Sequence, residues 1–462
     1  MKNVKLILLA LIIPLFTRAQ DISGQWNGVL KVQGMELRLV FHITEEVSGY
    51  TATMDSPDQN ATGIPVSSTS FENAALELKI DALNAGYTGV FEEGNGIKGT
   101  FRQAGQAFPL RLVRKKLEKK ILRRPQEPKK PLPYYSEDVI FPGGDKGVEL
   151  AGTLTLPEKE GQFPVAILIS GSGPQNRNEE FMTHKPFLVL SDHLTRNGIA
   201  VLRYDDRGFA SSTGNHGNAT SEDFADDVRS AIAYLKTRKE INKKYIGLIG
   251  HSEGGLIAPM VAADTKVAFI VLLAGPGVSG DQILLKQIET IGRLRGADEK
   301  TLQEEINLTR GAFELIHQYR EDESLEKRLT AYVSDAISKS NGVPEGVNKE
   351  DFISTQISRL TRPWMKYFLN YDPQVSLSQV KCPVLALNGE KDVQVTPGNL
   401  IVIESGVRKG GNSDVTIKEF SGMNHLFQTC KTGAMDEYAT IEQTMDPVVL
   451  EEISNWIRKQ VR

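Results

Sequence analysis

Residues 245–259 read YIGLIGHSEGGLIAP, an apolar run that breaks into glycines around a single serine and then becomes apolar again. Positions 250–254 match the motif G-x-S-x-G, in which a buried strand turns sharply into a helix. Glycine is needed on both sides of the serine because side chains there would collide with neighbouring strands, and the turn holds the serine in a strained conformation. The pattern predicts that Ser252 is a nucleophile, exposed at the end of a strand and at the positive end of a helix.

The residues on either side of this turn alternate between apolar runs and helical patterns. FPVAILISGSG, GIAVLRYDDRG, VAFIVLLAGPG and CPVLALNGEKD are apolar runs that end in glycine and polar residues. Helical periods separate several of these runs; in TSEDFADDVRSAIAYLKTR, Ser221 is expected to cap the helix. Strands that alternate with helices predict a mostly parallel sheet, covered on both faces, over residues 134–462.

Residues 281–372 interrupt this alternation. They are rich in charge, helical in pattern and without a buried-strand run, so we predict a helical insertion placed like a lid between two strands. Near the end of the insertion, Trp364 and Phe368 share one helical face. This face either lines an acyl pocket or attaches the insertion to the sheet, and the sequence leaves both alternatives open.

A nucleophilic serine needs a base, and the base needs an acid to orient it. In hydrolases with the G-x-S-x-G turn, the chain order is serine, acid, histidine. Only His317 and His425 follow Ser252. His425 lies in a glycine-containing loop after a predicted strand, whereas His317 lies in the helical insertion, so His425 is the predicted base. The predicted acid is Asp392, in the loop after the run PVLALNGE, with Glu390 as its nearest rival.

The oxyanion that forms during acyl transfer needs two backbone N–H donors. One is expected from Glu253, directly after the nucleophile, and the other from Ser172 in the glycine-rich loop SGSGPQ. The Glu253 carboxylate is unfavourable beside an oxyanion unless it turns away or meets a cation, for which Arg207 and Arg177 are the candidates. His251 is expected to point away from the site and to pack.

Five motifs in this order, SGSGPQNRNE, RYDDRGFASSTG, GHSEGG, LNGEKDVQV and GMNHLF, resemble those of α/β-hydrolases of the EstD-type bacterial esterase family, relatives of the serine aminopeptidase-like hydrolases. The resemblance covers about residues 134–462. It implies an α/β-hydrolase fold with a helical lid, and Ser252, Asp392 and His425 as nucleophile, acid and base. Many hydrolases carry His-Gly at the oxyanion loop, where this chain has Ser170-Gly171.

The segment before residue 134 has three parts. Residues 1–19 have two lysines, a short apolar core and a cleavage site of the small-x-small type, as in a signal peptide. They predict a periplasmic or secreted protein with no stable membrane insertion after cleavage. Residues 20–114 alternate with period two around glycine turns and predict a small antiparallel β domain, either a barrel or a sandwich. Residues 115–133 are basic and proline-rich and predict a solvated linker.

Composition narrows the function further. The 462 residues carry a formal net charge of −4, which disfavours nucleic acid as a partner, and two cysteines are expected to stay unbridged. The predicted function is hydrolysis of small carboxylic esters through an acyl-enzyme, with no cofactor and no metal ion. The alternatives are a serine peptidase or aminopeptidase, with Glu179, Glu180 or Glu253 holding the substrate amine, and a non-catalytic ligand-binding protein.

Overall fold

The computed structural model describes residues 21–32, 35–59, 61–92, 96–103, 106–117, 123–340, 343 and 348–462. The chain divides into two compact units, residues 1–32 with 36–119 and residues 33–35 with 120–462, and the main division falls within the predicted linker. The predicted signal peptide, residues 1–19, lies outside the described residues.

The described part of the first unit is a single antiparallel sheet of nine strands. They are β1 (Gly24–Val32), β2 (Met35–Glu46), β3 (Gly49–Ser56), β4 (Ala61–Pro65), β5 (Ser68–Glu72), β6 (Ala75–Ile80), β7 (Ala85–Glu92), β8 (Gly96–Gln103) and β9 (Gln106–Val113). The strand order is β4-β3-β2-β1-β9-β8-β7-β6-β5, and β3 contacts β5, so the sheet curls towards closure as a half-barrel. The predicted antiparallel β domain is confirmed, in its barrel form rather than as a sandwich.

The concave core of this sheet explains the alternation in its sequence. Residues of β6 are alternately exposed and buried along the strand, and Trp26, Phe41 and Tyr87 are fully buried in the same cluster. Because successive side chains of a strand point to opposite faces, this period of two places one apolar face inside and one polar face in solvent.

The second unit contains an eight-stranded sheet within its described residues. Its strands are β10 (Tyr135–Pro142), β11 (Glu149–Leu156), β12 (Phe163–Ile169), β13 (Ala200–Tyr204), β14 (Ile241–His251), β15 (Ile270–Leu273), β16 (Val384–Gly389) and β17 (Val415–Phe420). The order is β10-β11-β13-β12-β14-β15-β16-β17; β10 and β11 run antiparallel to their neighbours, and the strands from β13 to β17 are parallel.

Helices cover both faces of this sheet. They are α1 (Pro186–Arg196), α2 (Ser221–Thr237), α3 (Glu253–Asp264), α4 (Gly280–Leu294), α5 (Glu299–Tyr319), α6 (Leu325–Ser340), α7 (Lys349–Leu360), α8 (Pro363–Asn370), α9 (Pro373–Leu377), α10 (Asn399–Lys409), α11 (Met435–Tyr438) and α12 (Pro447–Gln460). Along β12, Val165 and Ile167 belong to one buried cluster, whereas Ala166 and Leu168 belong to the other. A strand that is buried on both faces has a continuous apolar sequence, so these strands lack a period of two. The architecture is the α/β-hydrolase fold that the motifs imply.

The helical insertion lies between β15 and β16, as predicted. Helices α4 to α8 pack around their own apolar cluster, which includes Phe313, Ile316 and Leu329. Across the described residues, we find no helix that combines the length and the apolar character needed to cross a membrane.

Part of the predicted linker is attached to the second unit. The Arg124 guanidinium donates to the carbonyl oxygens of Met182 and Ile441, and Gln126 exchanges hydrogen bonds with Thr444 and Met445. These residues therefore hold the start of the second unit against its C-terminal segment, where the sequence predicts a solvated spacer.

Candidate active site

The turn at Ser252 has the geometry that its sequence predicts. Ser252 joins β14 to α3 with φ 53° and ψ −118°, a conformation in which a residue with a side chain is strained. A Cβ on Gly250 would lie 1.9 Å from the carbonyl oxygen of Gly254, and one on Gly254 would lie 2.1 Å from that of Ile169 in β12. Both glycines are therefore required, the first by the turn itself and the second by the neighbouring strand.

The loops that follow β16 and β17 bring Asp392 and His425 together. The Nδ1 atom of His425 lies 2.7 Å from Oδ2 of Asp392, and both side chains are buried. The other carboxylate oxygen of Asp392 accepts the N–H groups of Gln394 and Val395 at 2.8 and 3.0 Å. These bonds fix the carboxylate, which in turn orients the imidazole.

The other candidates for acid and base lie elsewhere. Glu390 is bound to the hydroxyl of Ser421 and the N–H of Gly422. His317 contacts Asn370 and Asp281 within the insertion. Within the described residues, the Ser252 hydroxyl makes no hydrogen bond; such contacts often tighten only once substrate is bound.

The predicted oxyanion donors are both available. Glu253 is the first residue of α3, where a helix leaves N–H groups without an intrahelical acceptor. The loop after β12 approaches Ser252 closely, because a Cβ on Gly171 would lie 3.2 Å from the Cβ of Ser252. The N–H of Gly171 is occupied by Glu179 at 2.7 Å, whereas that of Ser172 has no acceptor in the described part of the chain.

The Glu253 side chain turns away from the oxyanion position and meets two neutral donors. Its Oε1 atom accepts the Ser221 hydroxyl at 2.6 Å and the indole N–H of Trp364 at 2.7 Å. Burial raises the pKa of this carboxyl, and the two hydrogen bonds oppose that rise. Neither predicted cation is its partner, because Arg207 pairs with Asp227 and Arg177 pairs with Asp205.

Two sequence predictions near this carboxylate need correction. Thr220, not Ser221, caps α2, in a capping box with Asp223. Ser221 is the next residue, and its hydroxyl is directed into the site instead. The expectation that His251 only packs is also incomplete. Both ring nitrogens of this buried histidine have polar partners, Glu179 and the carbonyl oxygen of His425.

A small, partly open acidic cavity of about 10 Å³ lies between Glu253 and Asp206, close to the smallest volume that holds one water molecule. Burial raises the pKa of Asp206 well above its ordinary value, although bonds from Ser170 and Gln175 lower it; the negative charges of Glu253 and Glu179 raise it further. The Ser170 hydroxyl donates to Asp206 at 2.6 Å. This bond orders the predicted oxyanion loop at the position where many hydrolases carry histidine.

A larger cavity of about 300 Å³ lies between α4 and the residues that follow Asp392. Its lining includes Val278, Ile283, Lys286, Gln394 and Thr396. Cysteines take no part in these contacts, and Cys382 and Cys430 are both free thiols in the described structure. Among the described residues, no group of three His, Cys, Asp or Glu side chains is placed to hold a metal ion.

One known protein family matches this chain over most of its second unit. The sequence model of the family described as "Serine aminopeptidase, S33" matches residues 185–429, more than half of the chain. The chain belongs to this family. The hydrolase is 26% identical over 332 residues to the esterase EstD of Thermotoga maritima, an alignment that covers 71% of this chain and 70% of the relative. The resemblance to EstD-type esterases is thereby confirmed.

Solved structures of other hydrolases are also similar. The esterase Pf2001 of Pyrococcus furiosus superposes with a TM-score of 0.42 at 13% identity, covering 71% of this hydrolase and 94% of the other chain. Est1E of Butyrivibrio proteoclasticus, solved with ferulic acid bound, has a TM-score of 0.41 at 15% identity, covering 70% and 99%.

Proposed function

We propose that this protein is an exported serine carboxylesterase that forms an acyl-enzyme on Ser252. The observation that carries the proposal is the 2.7 Å contact between His425 and Asp392, in loops at the same edge of the sheet as the strained Ser252 turn. A buried carboxylate on Nδ1 fixes the proton there and leaves Nε2 of the imidazole free to act as a base.

The reaction then follows from the positions of these groups. His425 removes the proton from the Ser252 hydroxyl as its oxygen bonds to the ester carbonyl carbon, and the carbonyl oxygen becomes an oxyanion. The N–H groups of Ser172 and Glu253 stabilise that charge. Protonated His425 gives its proton to the leaving alcohol, and the acyl group remains on Ser252. His425 next deprotonates a water molecule, whose oxygen bonds to the acyl carbon. The bond from that carbon to the Ser252 oxygen then breaks, the acid is released and His425 returns its proton to Ser252.

Contacts within the site favour an ester over a peptide substrate. An aminopeptidase needs a carboxylate for the substrate amine, but Glu253 is bound to Ser221 and Trp364, and Glu179 to Gly171 and His251. The third candidate, Glu180, is exposed and accepts a 3.5 Å hydrogen bond from Asn176. Turnover of p-nitrophenyl acetate should therefore greatly exceed that of aminoacyl-p-nitroanilides. The reverse ratio would favour the aminopeptidase.

The cavity between α4 and the residues that follow Asp392 is the proposed binding site for part of the ester. At about 300 Å³ it has the size of a small-molecule pocket, with apolar Val278 and Ile283 next to polar Gln394 and Thr396.

The signal-peptide pattern of residues 1–19 supports a periplasmic or secreted location. Sequencing the N-terminus of the exported protein tests the location: a mature chain should begin close after Ala19.

The nucleophile is tested with Ser252→Ala and a matched Ser172→Ala control. Loss of Ser252 should lower kcat by about 10⁴-fold or more and abolish labelling by a fluorophosphonate. Ser172→Ala should remain active, because the proposed oxyanion donor is its backbone N–H. An active Ser252→Ala protein would exclude the acyl-enzyme mechanism, and a wild-type protein that is not labelled would favour a non-catalytic binding function.

A further inference from the structure

Glu179 and His251 join the oxyanion loop to the loop of the proposed base. Oε1 of Glu179 accepts the N–H of Gly171 at 2.7 Å and lies 2.9 Å from Nδ1 of His251. The other ring nitrogen of His251 lies 3.0 Å from the carbonyl oxygen of His425. A continuous chain of hydrogen bonds therefore runs from the residue beside Ser172 to the backbone of His425.

The partners of His251 determine its charge. A carboxylate oxygen and a carbonyl oxygen are both acceptors, so both ring nitrogens must carry a proton, whereas a neutral imidazole carries only one. The two contacts therefore fit an imidazolium on His251, paired with the Glu179 carboxylate. Burial lowers the pKa of His251, but the charge and hydrogen bond of Glu179, the carbonyl oxygen of His425 and the charge of Asp392 together outweigh burial and raise it overall.

Burial and backbone strain show that this pair is held tightly. Glu179 is 4% exposed and His251 6%, and the backbone of Glu179 has φ 51°, in the left-handed region that non-glycine residues rarely adopt. Oε2 of Glu179 is buried without a hydrogen bond in the described structure. The negative charge of Glu179 is therefore compensated through the contacts at Oε1. Removing one partner of such a pair leaves an uncompensated buried charge.

We propose that Glu179 and His251 are a positioning pair, which sets the oxyanion loop and the His425 loop relative to Ser252 as one unit. The inference rests on the proposed esterase function. A small displacement of either loop misaligns groups that act only in the transition state, so the pair should affect kcat more than substrate binding.

The test compares Glu179→Gln, His251→Asn and the double variant with Glu180→Gln, a matched change at the exposed neighbouring carboxylate. Each single variant should lower kcat for p-nitrophenyl acetate by about 10- to 100-fold with KM almost unchanged. The loss of kcat in the double variant should be no larger than that in the less active of the two single variants, because both residues serve one unit. Glu180→Gln should match the wild type.

Two results would overturn the positioning role alone, provided that the wild type is active. The first is a wild-type kcat in folded single variants, and the second is a double variant in which the two single losses of kcat multiply. A wild-type protein without ester turnover would overturn the esterase function and this role together. Nitrogen-15 NMR of histidine-labelled wild-type protein needs neither variants nor turnover. It should show two protonated ring nitrogens on His251 at neutral pH, and a single protonated nitrogen would refute the ion pair.

Discussion

The indole N–H of Trp364 donates a 2.7 Å hydrogen bond to Glu253, the residue that directly follows Ser252. Trp364 belongs to α8 of the insertion, and its ring stacks on that of Phe368 with centroids 4.9 Å apart. One helix of the insertion is therefore attached to the start of α3, where the proposed oxyanion donor lies.

Replacing Trp364 with phenylalanine should destabilise the protein by about 1–3 kcal/mol, because a buried carboxylate loses one of its two donors. Tyr367→Phe is the control in the same helix. It removes a hydrogen bond to Glu222 at a more exposed position and should cost less than about 1 kcal/mol. Urea unfolding measures both, and equal losses would show that the contact with Glu253 has no special weight.

Phe368→Ala should lower stability by about 3–5 kcal/mol without changing the preferred acyl length. Phe368 is 7% exposed and belongs to the cluster that covers the sheet, so its ring attaches the insertion rather than lining a pocket. The measurements are thermal melting and kcat/KM for acetate, butyrate and octanoate esters. Phe209→Ala, at an exposed phenylalanine, is the control. A gain on octanoate relative to acetate would restore the acyl-pocket alternative.

Asp392→Asn should reduce kcat by about 10⁴-fold, because an amide cannot stabilise the imidazolium and favours the wrong tautomer of His425. Glu390→Gln should leave kcat almost unchanged, since its carboxylate contacts Ser421 and Gly422 rather than the base. Steady-state ester hydrolysis decides between the two acids. A larger loss in Glu390→Gln would transfer the role of acid to that residue.

Glu253→Gln should become more stable relative to the wild type as pH rises. Burial raises the pKa of Glu253 above its ordinary value of 4.5, so the folded protein binds this proton more tightly than the unfolded chain. Stability is therefore lost between pH 4.5 and the raised pKa, and glutamine removes that loss while keeping an acceptor for Ser221 and Trp364.

The pH test has a control of opposite sign. The bonds from Ser421 and Gly422 lower the pKa of Glu390, so this carboxylate adds stability as pH rises towards 4.5 and gives no further change above it. Melting temperatures of both glutamine variants and the wild type, measured from pH 3 to pH 8, check the two signs. A constant difference between Glu253→Gln and the wild type would refute a raised pKa.

The strand, turn and helix around Ser252 could be predicted from sequence because their causes are local. Gly250 and Gly254 are required by backbone atoms nearby, and apolar runs reveal buried strands wherever they occur. The choice of Asp392 and His425 needed only chain order and position after a strand. Their contact is now seen in the structure, while their catalytic roles stay a prediction.

The pairing of His251 with Glu179 could not be predicted in the same way. The two residues are separated by 72 positions, and the approach depends on a loop in which Glu179 takes a left-handed conformation. Trp364 and Glu253 are 111 positions apart and meet only through the packing of α8. A signal was nevertheless present, because a histidine at the end of a buried strand requires polar partners for its ring nitrogens.

The insertion between β15 and β16 also has a consequence for how this hydrolase can diverge. Leu273 and Leu387 are direct neighbours in the sheet, although residues 274–386 separate them along the chain. The entropy lost in closing such a loop grows only logarithmically, by about 0.6 kcal/mol for each doubling of its length. Helices with their own apolar cluster can therefore be lengthened, shortened or exchanged at little thermodynamic cost to the strand pair, so the insertion can vary while Ser252, Asp392 and His425 stay in place.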